Sequence, residues 1–277
     1  MTTSPRADRV ALVTGGGRGV GRAVAVALAE AGLAVGVTAR SGDELDDTVT
    51  HITRLGGRAF GVVGDITRRE DVARVVAGVE GELGPIDVCV ANAGRFAASG
   101  RIWEQDPDEW WGDVEVNLRG PLLTLHAVLP GMVERAAQGR AGTVVTVSSG
   151  IGTRPNPWAS AYAAGKAALF RLTDSVAGEL AGTGVSAFVI SPGLVRTAMT
   201  DWPTEFLRWY PEWADIPEND FVDAERAGAL VARLASGGFA ELSGRYLHVG
   251  HDLDALRAIA ASLDDEGTLR MVAYPAP

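Results

Sequence analysis

The stretch "TGGGRGVG", residues 14–21, decides the fold assignment, because it follows the apolar run "RVALV" and sets five glycines among eight residues. Glycines after a strand let the backbone turn with positive φ and bring its N–H groups close to an anion. The helix that follows adds partial positive charge at the same point. The spacing of Gly15, Gly19 and Gly21 is GxxxGxG, not the more familiar GxGxxG, and taken alone it also fits a flexible turn. We interpret the stretch as a loop that binds phosphate groups and opens a helix.

Short apolar runs alternate with amphipathic stretches along the chain. The runs are rich in β-branched residues and lack polar alternation, which favours strands buried on both faces of a sheet. The predicted strands are 9–14, 34–39, 59–65, 86–92, 142–149, 185–191 and 245–250. The predicted helices are 19–31, 43–55, 68–82, 107–136, 160–181 and 223–235. This alternation predicts one α/β domain over residues 1–277, doubly wound, with a seven-stranded parallel sheet flanked by helices on both faces.

Composition excludes several classes of function. The net charge of −10 over 277 residues argues against non-specific binding to nucleic acid or to an anionic membrane. The single cysteine, Cys89, makes no internal disulfide and is expected to be a buried small side chain. No apolar stretch approaches the roughly 18 residues of a membrane span, and the first residues carry no apolar leader. We expect a cytoplasmic protein, and we assign no metal site.

Polar residues follow two of the predicted strands at the edge where open α/β sheets bind ligands. Asn92, Ala93 and Gly94 end the fourth strand, and Asp65 ends the third. Asp65 has two compatible interpretations. Its carboxylate accepts a hydrogen bond from an adenine amino group, or it caps the helix that follows.

A tyrosine and a lysine four residues apart are the strongest chemical signal. Tyr162 and Lys166 in "SAYAAGKAAL" fall on one face of a helix, one turn apart. A nearby ammonium group favours the phenolate, so we expect Lys166 to lower the pKa of Tyr162 and make it a usable acid and base. Ser149 ends the preceding strand and is placed to bond the same substrate oxygen. Asn117 lies in an apolar helix and needs a polar partner, either an ordered water or another group of the protein.

Together these motifs make the chain resemble the short-chain dehydrogenase/reductase family from about residue 8 to about residue 250. The resemblance implies a Rossmann-like fold and hydride transfer between a nicotinamide and a ketone or secondary alcohol. It implies that Tyr162 exchanges the proton, Ser149 orients the oxygen, Lys166 holds the nicotinamide ribose and lowers the tyrosine pKa, and Asn117 helps to hold a water. The cofactor-binding residues expected from it are Thr14, Gly15, Gly17, Arg18, Gly19, Val20, Gly21, Arg40, Asp65, Ile66, Asn92, Ala93, Gly94, Tyr162, Lys166, Pro192, Gly193, Val195 and Thr197. A regulatory nucleotide-binding module without turnover is the alternative, although it has no need of the four catalytic side chains.

Two arginines set the expected cofactor preference. Relatives that prefer NAD carry an acidic residue at the end of the second strand, where this chain has Ala39 followed by Arg40. Arg40 and Arg18 are expected to converge on the 2′-phosphate of NADP(H). We therefore predict NADP(H), with an NAD-dependent alcohol dehydrogenase as the alternative.

Two segments depart from the strand–helix rhythm. The segment of about 198–222 carries Trp202, Phe206 and Trp209 at helical spacing, and Pro211 is expected to end that helix. It is either a lid that roofs an apolar or aromatic ketone or a small satellite core, and Trp158 and Trp202 are the candidate substrate contacts beside Ser149 and Tyr162. The tail of about 252–277 is atypical of the family. It leaves the expected homo-oligomer open between a dimer and a tetramer.

Overall fold

The computed structural model of the protein describes residues 9–202 and 204–260. The strands are β1 (Val10–Thr14), β2 (Ala34–Ala39), β3 (Ala59–Val63), β4 (Ile86–Ala91), β5 (Gly142–Val147), β6 (Val185–Ser191) and β7 (Tyr246–His248). The α-helices are α1 (Gly19–Glu30), α2 (Gly42–Arg54), α3 (Arg69–Leu83), α4 (Pro107–Val114), α5 (Gly120–Ala136), α6 (Ser160–Glu179), α7 (Thr204–Leu207), α8 (Ala224–Ala235) and α9 (Leu253–Ala258).

The strands form one seven-stranded parallel sheet in the order β3-β2-β1-β4-β5-β6-β7. The chain therefore winds outward from β1 in one direction and from β4 in the other. The point where the direction reverses, at the carboxyl ends of β1 and β4, is where ligands bind in open α/β sheets. The predicted α/β fold with its doubly wound parallel sheet is confirmed.

Each face of the sheet is covered by helices, because the strands are apolar on both sides. Ala11 and Val13 of β1 pack in one core with α1, α2 and α8. Val10 and Leu12 of the same strand pack in the opposite core with α3, α5 and α6. Alternate side chains of a strand point to opposite faces, so each strand contributes to both cores. Cys89 is buried as expected, and burial raises the pKa of its thiol to about 12.

The long helix predicted over 107–136 is divided by a π-helical turn. Residues Glu115–Arg119 form that turn between α4 and α5. Asn117 lies within it and donates from Nδ2 to the backbone oxygen of Asp113 at 2.8 Å. A π turn inserts an extra residue into a helix and is frequent at functional sites. Apolar periodicity runs on through such a turn, so the sequence pattern did not reveal it.

The segment over 198–222 differs from its prediction. Helix α7 ends at Leu207, so Trp209 lies beyond it and does not share a helix face with Trp202 and Phe206. Pro211 begins a 3₁₀ turn, Pro211–Trp213, and does not end the helix.

In the tail, the structure describes α9, while residues 261–277 of the predicted tail lie outside the described residues. Within the described ranges, no helix combines the length and the apolar character needed to cross a membrane.

Candidate active site

A cavity of about 600 Å³ runs along the carboxyl ends of the central strands. It extends from the glycine loop and the end of β2, past the ends of β3 and β4, to the start of α6. Its volume lies in the range of small-molecule and cofactor sites. The predicted residues that line it are Gly15, Gly17, Arg18, Gly19, Val20, Gly21, Arg40, Asp65, Ile66, Asn92, Ala93, Gly94, Tyr162, Lys166, Pro192 and Thr197.

The glycine loop is held by a small network at the ends of β1 and β4. The Thr14 hydroxyl accepts hydrogen bonds from the backbone N–H groups of Asn92 (3.0 Å) and Ala93 (3.1 Å). The side-chain amide of Asn92 donates to the backbone oxygen of Thr14 at 2.9 Å. A Cβ on Gly21 would lie 2.1 Å from the Gly15 oxygen, so only glycine lets α1 begin this close to the loop. Gly15 itself has a φ of +65°. Thr14 is buried, and it shapes the loop without bordering the cavity.

The start of α1 fits an anion. The residue before it, Arg18, makes no side-chain cap, and the first turn of the helix holds no acidic residue. The first N–H groups of an α-helix have no partner within the helix, and the helix dipole favours negative charge there. By contrast, Ser41 caps α2, and Asp43 and Glu44 lie in its first turn. Phosphate groups of a dinucleotide match the uncapped end of α1.

The arrangement of the two arginines differs from the expected pair that converges on one anion. Arg18 forms an ion pair with Glu44 at 3.1 Å, so the glycine-loop arginine already has an acidic partner at the start of α2. Arg40 is exposed, lines the cavity, and makes no ion pair among the described residues. An exposed pair of this kind contributes about 0–1 kcal/mol, so a phosphate is able to compete for Arg18.

Asp65 fixes a turn, a role that differs from both expected interpretations. Its Oδ1 accepts from the backbone N–H (2.9 Å) and the hydroxyl (2.7 Å) of Thr67, which fixes the turn after β3. Helix α3 begins at Arg69, and Asp65 does not cap it. Asp65 still borders the cavity, so its predicted contact with adenine stays a prediction.

Tyr162 and Lys166 lie at the inner end of the cavity, and Ser149 lies beside Tyr162 without bordering the cavity. Lys166 is buried and donates from Nζ to the Val147 oxygen at 2.9 Å, and this Nζ lies 5.5 Å from the centre of the Tyr162 ring. The side chain of Ser149 acts to lower the pKa of the Tyr162 phenol. The Ser148 hydroxyl donates to the Lys166 oxygen at 2.9 Å, which fastens the end of β5 to α6.

Burial dominates the protonation of the pair. It raises the pKa of Tyr162 to about 12, although Ser149 acts in the opposite direction. Burial also lowers the pKa of Lys166 to about 8. The expectation that Lys166 brings the tyrosine pKa below its ordinary value is therefore wrong for the protein alone. Tyr162 is a neutral phenol at neutral pH, which suits it to donate a proton.

Asn117 is a buried amide whose side chain is satisfied by the backbone of the protein. Nδ2 donates to the Arg95 oxygen (2.6 Å) and the Asp113 oxygen, and Oδ1 accepts from the Arg95 N–H at 3.3 Å. Gly165 of α6 allows this approach, because a Cβ there would lie 2.9 Å from the Asn117 Cβ. The side chain holds the loop after β4, and its predicted role in holding a water stays a prediction.

The tryptophan segment forms a satellite core that reaches Tyr162. Phe206 and Tyr210 are buried, and their rings stack with centres 4.7 Å apart. Phe206 also lies edge-on to Phe96 at 5.1 Å, and Phe96 stacks on Tyr162 at 4.6 Å. Trp209 stacks on Trp158 at 5.1 Å.

Trp158 is the only described residue other than glycine with a positive φ, +68°. For a bulky side chain this conformation is strained, and such strain is often found near functional sites.

The cavity does not reach every predicted residue. Those that do not border it are Thr14, Asn117, Ser149, Trp158, Gly193, Val195 and Trp202. Ser149 nevertheless contacts Tyr162, and Trp202 stacks on Phe206 at 5.9 Å.

Sequence reasoning missed Phe96, which stacks on Tyr162, and the ion pair of Arg95 with Asp113. The only available signal was the position of Arg95 and Phe96 directly after the "NAG" motif.

Comparison with known proteins gives one consistent result. Residues 9–205 match the family model for short chain dehydrogenases. A short chain dehydrogenase of Pseudocercospora fijiensis is 42% identical over 192 residues, which is 69% of this chain but only 61% of that protein. A 3-oxoacyl-(acyl-carrier-protein) reductase of Vibrio cholerae is 33% identical over 87% of this chain and 95% of its own. The crystal structure of a variant actinorhodin polyketide ketoreductase with NADPH superimposes with a TM-score of 0.79 at 30% identity, covering 89% of this chain and 97% of that one.

Proposed function

The chain belongs to the short-chain dehydrogenase/reductase family of oxidoreductases, and we propose that it is an NADP(H)-dependent enzyme that interconverts a ketone and a secondary alcohol. The observation that carries the proposal is the pair of Tyr162 and Lys166 at the inner end of the cavity that begins at the glycine loop, with Ser149 beside the tyrosine. A binding module without turnover needs the loop but not this group of proton-transfer side chains.

The chain's own residues supply the proton transfer. Bound nicotinamide supplies or accepts the hydride at the carbonyl carbon. In reduction, Tyr162 donates its phenolic proton to the carbonyl oxygen. Its high pKa keeps the phenol protonated at neutral pH, which is the form that donates. Ser149 hydrogen-bonds to the same oxygen and orients it. In oxidation, Tyr162 takes the proton back from the alcohol. Oxidation therefore needs Tyr162 in its phenolate form.

Lys166 acts on the phenol through its position and charge. Its hydrogen bond to the Val147 oxygen fixes the ammonium group below the Tyr162 ring. The ammonium group would stabilise the phenolate that forms when the proton leaves, and it would also hold the nicotinamide ribose. We propose both roles for Lys166.

The preference for NADP(H) rests mainly on Arg40. Its exposed guanidinium group borders the cavity after β2 and has no acidic partner among the described residues. A 2′-phosphate would be an anionic partner for Arg40, held by planar, charge-assisted hydrogen bonds. Arg18 joins it only if the phosphate displaces Glu44.

The ion pair of Arg18 with Glu44 favours the alternative, NAD dependence. Glu44 also borders the cavity, and its carboxylate repels a phosphate while accepting hydrogen bonds from ribose hydroxyls. Arg40→Ala distinguishes the two. We expect about a ten- to hundredfold loss of NADPH affinity and little change for NADH, from the loss of one charge-assisted bond of about 1.5–3 kcal/mol. Wild-type protein that binds NADH as tightly as NADPH supports the NAD alternative.

On the substrate side, we propose an apolar or aromatic ketone. Phe96 stacks on Tyr162 and offers an apolar surface to the cavity, and the aromatic cluster of Phe206, Tyr210 and the neighbouring tryptophans packs behind it. Apolar substrates bind by covering such surface. Although the segment 198–222 packs as a satellite core, we propose that it also serves as the lid, because Phe206 joins it to Phe96 and thereby to Tyr162.

A direct assay tests the proposed function. A panel of aliphatic, alicyclic and aryl ketones, and the matching secondary alcohols, is incubated with NADPH or NADP, and with NADH or NAD, while absorbance of the reduced nicotinamide is followed. We expect turnover of apolar ketones with NADPH. If NADPH binds but no carbonyl or alcohol is turned over, the chain is a binding module instead.

We also propose that the protein is a homodimer or homotetramer. Trp103, Trp111 and Leu122 are exposed, at 75%, 57% and 48% respectively, which is unusual for large apolar side chains. Light scattering on the purified protein measures the assembly. A monomer at micromolar concentration contradicts this proposal without affecting the others.

A further inference from the structure

We propose that Asp113 and Phe96 are positioning residues for Tyr162: the Asp113 carboxylate fixes the loop after β4, and the ring of Phe96 on that loop holds the tyrosine ring in place. The proposal rests on the proposed role of Tyr162 as the proton donor. It assigns a function to a buried carboxylate and an aromatic ring that the proton transfer itself does not use.

The Asp113 carboxylate is fully buried and grips two consecutive backbone groups. It accepts hydrogen bonds from the N–H groups of Ala97 (3.0 Å) and Ala98 (3.0 Å). It also forms an ion pair with Arg95 at 3.1 Å. Burying a carboxylate is unfavourable unless it is paired and hydrogen-bonded, and here these partners meet that need. All of them belong to residues 95–98, so the carboxylate acts on that loop.

Asn117 holds the other side of the same loop. It donates to and accepts from the backbone of Arg95, one helical turn after Asp113. Backbone groups on both sides of Phe96 are therefore held by α4 and the π turn. This leaves the backbone of Phe96 little freedom. The glycine at 112 contributes as well, because a Cβ there would lie 2.5 Å from Nη1 of Arg95.

Phe96 transmits the position of the loop to the reactive ring. Its ring is 4.6 Å from that of Tyr162 and nearly parallel to it, with an angle of 16°. On the opposite side, Phe206 of the lid meets Phe96 edge-on at 5.1 Å and 87°. A side chain locked by packing and by supporting hydrogen bonds is what a precise site requires, and small misplacements of a reacting group are costly.

The charge of Asp113 also acts on Tyr162. Its negative field disfavours the phenolate and so adds to the high pKa of the tyrosine. The charged or titratable groups around the pair are Arg95 on the loop, Glu109 on α4, and Lys166, whose Nζ is 5.5 Å from the Tyr162 ring. Replacing Asp113 with asparagine removes the negative charge and leaves Arg95 and Lys166 positive. The loss of that negative charge favours the phenolate.

The chain offers a matched control at the amino ends of the strands, at the opposite end of the sheet from the cavity. Asp87, at the start of β4, is also a buried carboxylate. It accepts from the Val10 N–H at 2.9 Å and pairs with Arg140 at 2.8 Å. Asp87→Asn and Asp113→Asn therefore remove the same kind of interaction, one far from Tyr162 and one beside it. A purely structural role predicts similar consequences for the two variants.

The experiment measures kcat for alcohol oxidation against pH, at saturating alcohol and cofactor, together with the unfolding midpoint of each variant. Both variants are expected to unfold more easily than the wild type. In Asp113→Asn the rise of kcat with pH moves to lower pH, since the phenolate forms more readily. In Asp87→Asn the profile stays where it is in the wild type. Identical profiles for all three proteins overturn the electrostatic part of the proposal.

Two substitutions of Phe96 test the packing part and remain informative if Asp113→Asn fails to fold. We expect Phe96→Leu to lower kcat about tenfold or more while KM for cofactor changes little, since the proton donor is misplaced but the cofactor cavity is kept. Phe96→Tyr keeps a stacking ring and is expected to restore most of the rate. Unchanged kcat in Phe96→Leu overturns this part. An active Tyr162→Phe would instead reject the proposed function, so the two failures are distinguishable.

Discussion

Replacing Gly21 with alanine separates the demands of the cofactor loop from ordinary helix stability. Gly21 lies in the first turn of α1, where alanine is the better helix former by roughly 0.5–1 kcal/mol. The added Cβ, however, would lie 2.1 Å from the Gly15 oxygen and 2.4 Å from Nδ2 of Asn92. Because the first of these is a backbone atom, the clash is relieved only by moving the loop or the helix by about 1 Å.

The expected net effect is destabilisation. Overpacking of this kind costs about 1–3 kcal/mol, which for a protein of this size is roughly 2–12 °C in the unfolding midpoint. NADPH affinity is expected to fall at least tenfold, because the loop N–H groups and the hydrogen bonds of Asn92 to Thr14 and Gly15 shift together.

Gly178 is the matched control. It is an exposed glycine in α6, and a Cβ there meets no atom within 4 Å. Gly178→Ala should raise the unfolding midpoint slightly and leave NADPH binding unchanged. Thermal unfolding and titration of NADPH fluorescence measure both quantities. If Gly21→Ala is as stable as Gly178→Ala and binds NADPH normally, the close packing of α1 on the glycine loop is refuted.

Three further substitutions probe the site. Lys166→Met should weaken cofactor binding and lower kcat. It should also remove the cost in unfolding free energy of burying a charged lysine. The lysine pKa is about 8 in the folded protein and 10.5 in the unfolded chain, so this cost is full below pH 8 and is lost as pH rises from 8 to 10.5. Denaturant unfolding measures the free energy of unfolding of the variant minus that of the wild type. We expect this difference to be more favourable to the variant at pH 7 than at pH 10, and equal differences at the two pH values contradict the prediction. Ser149→Ala should lower kcat about 10²-fold without abolishing it, since one hydrogen bond to the substrate oxygen is lost; wild-type kcat would remove Ser149 from the mechanism. Glu44→Gln should raise NADPH affinity by freeing Arg18 and removing a repulsive charge, and a fall in NADPH affinity would show that Glu44 supports the cofactor.

Local patterns were enough to predict the fold. Strands such as Ala34–Ala39 and Val185–Ser191 coincide with their predicted ranges, because a buried parallel strand is a continuous apolar run and its bounds are visible in the residues themselves. Patterns with a helical period were less informative where two segments join. The π turn of Glu115–Arg119 keeps the apolar rhythm, and the spacing of Trp202, Phe206 and Trp209 imitates one helix face although α7 has only four residues.

The candidate site was predictable where one motif holds all the information. Tyr162 and Lys166 meet because they are a helical turn apart. Contacts between distant segments were not predictable. The stacking of Phe96 on Tyr162, the grip of Asp113 on residues 97 and 98, and the pairing of Arg18 with Glu44 depend on the tertiary fold. The tyrosine pKa also depends on it, since burial raises this pKa and outweighs the opposite influence of Ser149.

The most direct measurement is kcat for ketone reduction in Tyr162→Phe, with the NADPH dissociation constant measured on the same protein. The substitution keeps the ring, its stacking on Phe96 and its burial, and removes only the hydroxyl. The account predicts a loss of about 10²–10⁴-fold or more in kcat, with NADPH binding nearly unchanged. A folded Tyr162→Phe protein that reduces the ketone at close to the wild-type rate would contradict it.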